Sequence, residues 1–350
     1  MTNNRRLLWA DLLKIVSIMG VITIHSAAPL LVSYDRAGAQ FWWAGNIYNS
    51  LSRWCIPVFF MISGAFLIPK ANGSLSHFFK RRLQRILLPF LLWSFVYFLW
   101  RIHINGEDLL FSDFFSLLIE GPIYYHLWFF YVLIVLYLFA PVLGTYFLAA
   151  RGINPLYFFL LWFLSASILP LLQEYFDLNF YFSNGSAYSP YYYLGYFFLG
   201  FLLRDITLSA KETLLHLFFF FTGLFLTALG TYDLTIVQGD GQFEPYFFNY
   251  YSPNVFLMAF SIYLLIKSIP FQNSGKAGII SWAASCVPGI FLVHAIVIAV
   301  YKQGMLGFTL SETMYRPAVG IPLFSLAVFG ASLFIVTVIK LIPGLKHTVP

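Results

Sequence analysis

Apolar runs of about twenty residues follow one another along the whole chain, separated by short polar clusters. In a helix, that length crosses the hydrocarbon core of a bilayer. The pattern predicts membrane helices over roughly 7–31, 49–69, 86–104, 123–148, 155–173, 190–203, 212–230, 251–269, 280–301 and 317–342. The sixth run is short, so it is expected to run tilted or to begin earlier. The expected fold is an all-α polytopic membrane protein of about ten transmembrane helices, one transmembrane domain over 1–350. No repeat of the kind that marks many transporters is visible in the pattern.

The first run carries the most informative polar positions. Asp11, Lys14 and His25 interrupt an otherwise apolar segment. At about 100° per residue, eleven positions turn a helix by three full turns plus roughly 20°. Lys14 and His25 therefore share a face, about 16 Å apart along the axis, with Asp11 one turn below Lys14. Ionisable residues inside a membrane segment are expensive and point to function by default.

Composition agrees with the pattern: 60% of the 350 residues are hydrophobic and 10% are charged, more apolar surface than a soluble domain of this length can bury. Arg5 and Arg6 ahead of an apolar stretch resemble the start of a signal peptide. The run is too long for that, and Asp11 and Lys14 break it, so it is read as a retained first membrane helix.

The formal net charge of +6 reads as topology. With the N-terminus in the cytoplasm, Arg5, Arg6, Lys70, Lys80, Arg81, Arg82, Arg85, Arg151, Arg204, Lys211, Lys267, Lys276, Lys340 and Lys346 fall on the inner side. Arg36, Lys302 and Arg316 fall outside, with Arg53 and Arg101 near helix ends, as do acids such as Glu107, Asp108, Asp113, Glu120, Asp177, Asp240 and Glu312. Both termini are then cytoplasmic, and the charge does not imply a nucleic-acid partner.

In this orientation four polar side chains reach a similar depth on four helices: His25, Arg53, His126 and His294. They are candidates for one buried site, although a membrane histidine also serves as a simple helix–helix hydrogen-bonding residue, and His126 and His294 could sit at an interface. A second candidate is the basic segment from His77 to Pro89, expected to lie on the cytoplasmic side before the third helix. If helical, it places Arg82 and Arg85 on one face. Such a pair could grip phosphates or anchor to anionic lipid. Pro57 and Gly64 in the second run permit a kink and close packing. Phosphate loops, serine nucleophile elbows and zinc motifs are absent. No metal site is expected, and Cys55 and Cys286 lie in apolar runs without metal spacing.

Several of these pieces, in order, resemble the acyltransferase-3 family of integral membrane acyltransferases, bacterial enzymes that modify surface glycans such as enterobacterial common antigen. Lys14-x10-His25 fits the family's basic-residue-x10-His signature. The segments Arg53-Trp-Cys-Ile-Pro-Val-Phe-Phe-Met-Ile-Ser-Gly64, Arg82-Leu-Gln-Arg85 with Pro89, Tyr125-His-Leu-Trp-Phe-Phe130, Tyr193-Leu-Gly-Tyr-Phe-Phe-Leu-Gly200 and Phe291-Leu-Val-His294 fit later parts. The resemblance is to the stand-alone glycan O-acetyltransferase type, since the sequence ends at Pro350 without the SGNH-type extracytoplasmic domain of many relatives.

The resemblance implies a multi-pass protein of the bacterial cytoplasmic (inner) membrane. Its donor would be acyl-CoA, expected to be acetyl-CoA, and its acceptor a hydroxyl of a glycan or lipid-linked sugar. It further implies His25, Arg53 and His126 as catalytic residues and Lys14, Arg82 and Arg85 as the donor-binding set, with Asp11 and His294 as further candidates. The rival reading from the spans alone is a glycan or lipid transporter or flippase that performs no acyl transfer.

Overall fold

The structure, a computed structural model, describes residues 5–32, 34, 38–70, 74–148, 154–176, 188–239, 241–271 and 277–350. The side chains of Arg5, Arg6 and Arg81 lie outside that description, as do Arg36, Arg151, Asp177, Asp240 and Lys276 altogether. The described residues contain helices and turns and no strand. Among them, eight helical stretches are long and apolar enough to cross a membrane: Leu8–Leu30, Ala39–Lys70, Leu75–His103, Tyr125–Leu148, Pro155–Phe176, Ala210–Val237, Ala277–Lys302 and Pro317–Leu341. The predicted runs at 190–203 and 251–269 form the shorter helices Pro190–Leu202 and Pro253–Lys267.

Proline punctuates this architecture. Pro155, Pro190, Pro253 and Pro317 each open a helix at its first position, where a missing N–H costs nothing. The helix beginning at Ala210 starts instead with a capping box. The Ser209 hydroxyl accepts from the Glu212 N–H, and the Glu212 carboxylate accepts from the Ser209 N–H at 2.7 Å.

Two boundaries differ from the sequence reading. The second span begins ten residues earlier than the apolar run, because Ala39–Ser52 (α2) is helical despite Asn46, Asn49 and Ser50, all buried. Those amides pair internally: Asn46 donates to the Ala228 carbonyl at 2.9 Å and Asn49 to the Ile24 carbonyl at 3.3 Å. The chain then turns at Arg53–Trp54 before Cys55–Leu67 (α3). Pro57 has no N–H to give the Arg53 carbonyl four residues back, so the helix is weakest at this point. The third span, Leu75–His103 (α4), also starts early and takes the basic segment into the helix itself.

The first helix, Arg5–Ala27 (α1), packs against α2 and α3 and against Ala277–Lys302 (α12) and Pro317–Leu341 (α13). It is central, which is why its polar stripe faces protein. By contrast, Ala210–Tyr232 (α10) presents Phe218, Phe221 and Phe225 to the exterior, each at least 60% exposed, as a lipid-facing helix should. In the last turn of α4, Arg101 pairs with Glu107 at 2.6 Å, and hydrogen bonding from that guanidinium holds the Glu107 carboxyl below the usual carboxylate range. Lys302 pairs with the buried Glu312 at 2.8 Å and ties back the loop after α12.

The tightest crossing is between α3 and Pro190–Leu202 (α9). A methyl on Gly64 would overlap the Phe197 carbonyl oxygen, and one on Gly200 the Met61 carbonyl oxygen. Backbone on backbone leaves nothing soft to give way. Gly64→Ala is therefore expected to destabilise the protein by at least about 3 kcal/mol, the upper end for overpacking. The measurement is the yield of monodisperse protein in detergent and its thermal midpoint. Gly330→Ala, where a methyl would meet nothing, is the matched control and should behave as the parent.

Candidate functional site

The polar residues of α1 face two separate spaces. At the Lys14 end is a cavity of about 820 Å³, within the range of small-molecule sites. Five basic side chains line it: Lys14 from α1, Lys70 after α3, and His77, Arg82 and Arg85 from α4. Lys14 is held by Asp11, one turn back, at 3.0 Å, and the other Asp11 oxygen accepts from the Ser281 hydroxyl at 2.9 Å. Arg82 lies over the Phe78 ring at 4.2 Å and donates to the Phe78 carbonyl at 3.3 Å, which fixes its stem along the helix. Because the segment is helical, Arg82 and Arg85 do share a face. Apolar side chains, among them Phe59, Phe129, Leu133 and Phe291, form the deeper walls.

At the His25 end is a small void of about 20 Å³, with His25, His126, Trp128, Tyr250 and Phe291 among its walls. Three histidines meet here. The His294 ring stacks on His25 with centroids 5.4 Å apart and meets His126 edge-on at 5.1 Å. His126 and His294 are buried within the protein, at 1% and 0% exposure. His126 belongs to the short 3-10 turn Tyr125–Leu127 that precedes the helix Trp128–Leu148 (α6), not to the helix proper. The His294 Nδ1 atom faces the carbonyls of Phe291 at 2.7 Å and Ile290 at 3.2 Å. Carbonyls only accept, so Nδ1 carries the hydrogen and Nε2 keeps its lone pair. Among the described residues, that Nε2 atom has no hydrogen-bond partner. Tyr125 packs on His25 at 4.7 Å and is 46% exposed, so the cluster lies just beneath the molecular surface on that side.

Arg53 stands one layer behind the void. Its Nε donates to Asn49 Oδ1 at 2.6 Å and its Nη1 to the Phe248 carbonyl at 3.2 Å. The guanidinium lies over the rings of Phe248 and Tyr250, at 4.3 and 5.6 Å. Asn49 in turn holds the Ile24 carbonyl, next to His25. Arg53 thus reaches the histidine cluster through Asn49 and Tyr250. Among the described residues, no group of three or more His, Cys, Asp or Glu side chains is arranged to hold a metal ion.

The sequence reading named Phe291 and Trp128 only within longer segments and gave neither them nor Tyr250 a part in the site. Phe291 precedes His294 by one turn, and that spacing was the available signal. Lys70 was visible only as part of the inner-side charge, and His77 only as the start of the basic segment.

Membrane-length helices around a cationic cavity and an adjoining histidine cluster define a multi-pass membrane protein with an enclosed polar site. The acyltransferase domain that characterises the acyltransferase-3 family matches residues 7–341, and the chain belongs to that family. Its coarse activity is that of a membrane acyltransferase. No curated protein and no solved structure matches the chain.

Proposed function

We propose that the protein transfers an acyl group, acetyl in the simplest case, from acyl-CoA to a hydroxyl of a surface glycan or lipid-linked sugar. This is the activity of the stand-alone glycan O-acetyltransferases, including the type that acts on enterobacterial common antigen. The observation that carries the reading is the shared wall. Phe291 lines both the cavity with the basic residues and the histidine void, so a donor held by its phosphates in the first lies next to the base in the second. In the proposed setting of a bacterial inner membrane, the cavity opens to the cytoplasm and both termini are cytoplasmic.

Arg82 and Arg85 bind the CoA phosphates by charge-assisted hydrogen bonds. Lys14, oriented by Asp11, extends the positive path toward the thioester. The acceptor enters past Tyr125. His25 takes the proton of the attacking hydroxyl as its oxygen bonds to the thioester carbonyl carbon. The C–S bond then breaks, and the proton passes from the imidazolium to the CoA sulfur, leaving an ester and free CoA. His126, which lines the same void as His25, donates to the oxyanion or the sugar. Arg53 holds Tyr250 and the His25 segment in position, and His294 supports the His25 ring by stacking.

The test is radiolabelled acetyl-CoA supplied to reconstituted protein with a membrane glycolipid extract. Label on glycan with release of CoA supports the proposal, and label trapped on the protein favours a covalent histidine route. Glycolipid movement across the bilayer without CoA release would put the transporter reading in its place.

A further inference from the structure

Phe291 stands between the two spaces and contacts both sets of walls. Toward the cationic cavity its ring packs on Phe129 at 4.8 Å, Phe130 at 5.7 Å and Phe59 at 6.4 Å. Toward the void it meets His294 at 5.7 Å and His126 at 5.9 Å. The residue is 4% exposed, and its backbone carbonyl accepts from His294 Nδ1. Ring and histidine are therefore fixed to each other, one turn apart on α12. Beyond the ring the void measures about 20 Å³, enough for one water-sized group. On the near side the cavity holds about 820 Å³. A donor thus has ample room for its cofactor portion and almost none for an acyl tail beyond the partition.

We propose that Phe291 is the specificity-determining wall of the acyl site, admitting an acetyl-sized group to the histidine cluster and excluding longer chains. The inference rests on the acyl-CoA reading above and names the acyl class that the site accepts. A methyl matches the void. Each further methylene has to displace a ring packed on three other phenylalanines and two histidines, in an interior with no slack. Removing the ring joins the two spaces and gives the tail an apolar bed formed by Phe59, Phe129 and Phe130.

The experiment measures binding and transfer for acetyl-, propionyl-, butyryl- and hexanoyl-CoA with the full-length protein in detergent. Parent, Phe291→Leu and Phe291→Ala are compared. The parent should bind best with acetyl and lose affinity as the tail grows. Phe291→Ala should reverse the trend, gaining up to about fourfold per added methylene over the first steps, the value of burying one CH₂. Its butyryl-to-acetyl transfer ratio should rise by up to about fifteenfold, the product of two such steps. Phe291→Leu keeps the segment packed and should shift the optimum by one or two carbons, and it decides the matter where the alanine variant does not fold. An unchanged chain-length profile in folded variants overturns the inference while leaving the acyl-CoA reading standing. A parent that binds no acyl-CoA at all overturns both.

Discussion

His25→Ala is expected to lower acyl transfer by about 10²–10⁴-fold, the usual contribution of a positioned general base, and to leave the protein folded and membrane-inserted. The imidazole is the one titratable side chain of α1 that reaches the small void, and its ring contacts are with Tyr125 and His294. Removing it enlarges an existing void and, among the described residues, breaks no ion pair. The check is label transferred from acetyl-CoA to glycolipid, read beside the detergent yield and the affinity for CoA. Intact affinity with lost transfer places His25 at the chemistry. Near-normal transfer would remove it from that role and leave His126, which lines the same void, as the base to examine.

The second large effect is on donor binding. Arg82→Ala combined with Arg85→Ala should weaken acyl-CoA affinity by about 10²-fold or more, since hydrogen bonds to charged groups contribute about 1.5–3 kcal/mol each. The loss should shrink as salt rises, because part of it is long-range attraction. The double Arg→Lys variant separates the contributions. It retains both charges and loses the planar fork, so an intermediate affinity is expected. Arg82 also packs on Phe78, and a thermal midpoint measured alongside distinguishes a looser helix from a lost phosphate contact. Equal affinity in parent and alanine variant would return the segment to anchoring on anionic lipid. His25→Ala and the arginine pair should also differ in kind, the first acting on turnover and the second on donor affinity.

Much of this protein is written in one dimension. Helices need only local apolar runs of membrane length, and hydropathy finds them because a bilayer leaves the backbone few alternatives. The Asp11–Lys14–His25 stripe was legible for the same reason, since helical phase alone sets which side chains share a face. The early starts of α2 and α4 were not. Asn46 lies ahead of the predicted span and reads as a loop residue until its partner is known, and that partner, the Ala228 carbonyl, comes from another helix. Likewise, four basic residues in six positions look like a solvated segment, although α4 runs through them.

The site itself divides along the same line. That His25 carries unusual weight follows from its position in an apolar run. That His294 stacks on it, that His126 is fully buried, and that Arg53 stands a layer back behind Tyr250 all depend on how α1, α2, α6 and α12 pack. Phe291 is the sharpest instance. In a chain with 41 phenylalanines its place one turn before His294 is the one local signal, and only the meeting of two spaces at its ring gives it a role. Local periodicity is set by neighbours a few residues away, whereas a cavity is a property of side chains far apart in the chain, and its walls are decided by packing.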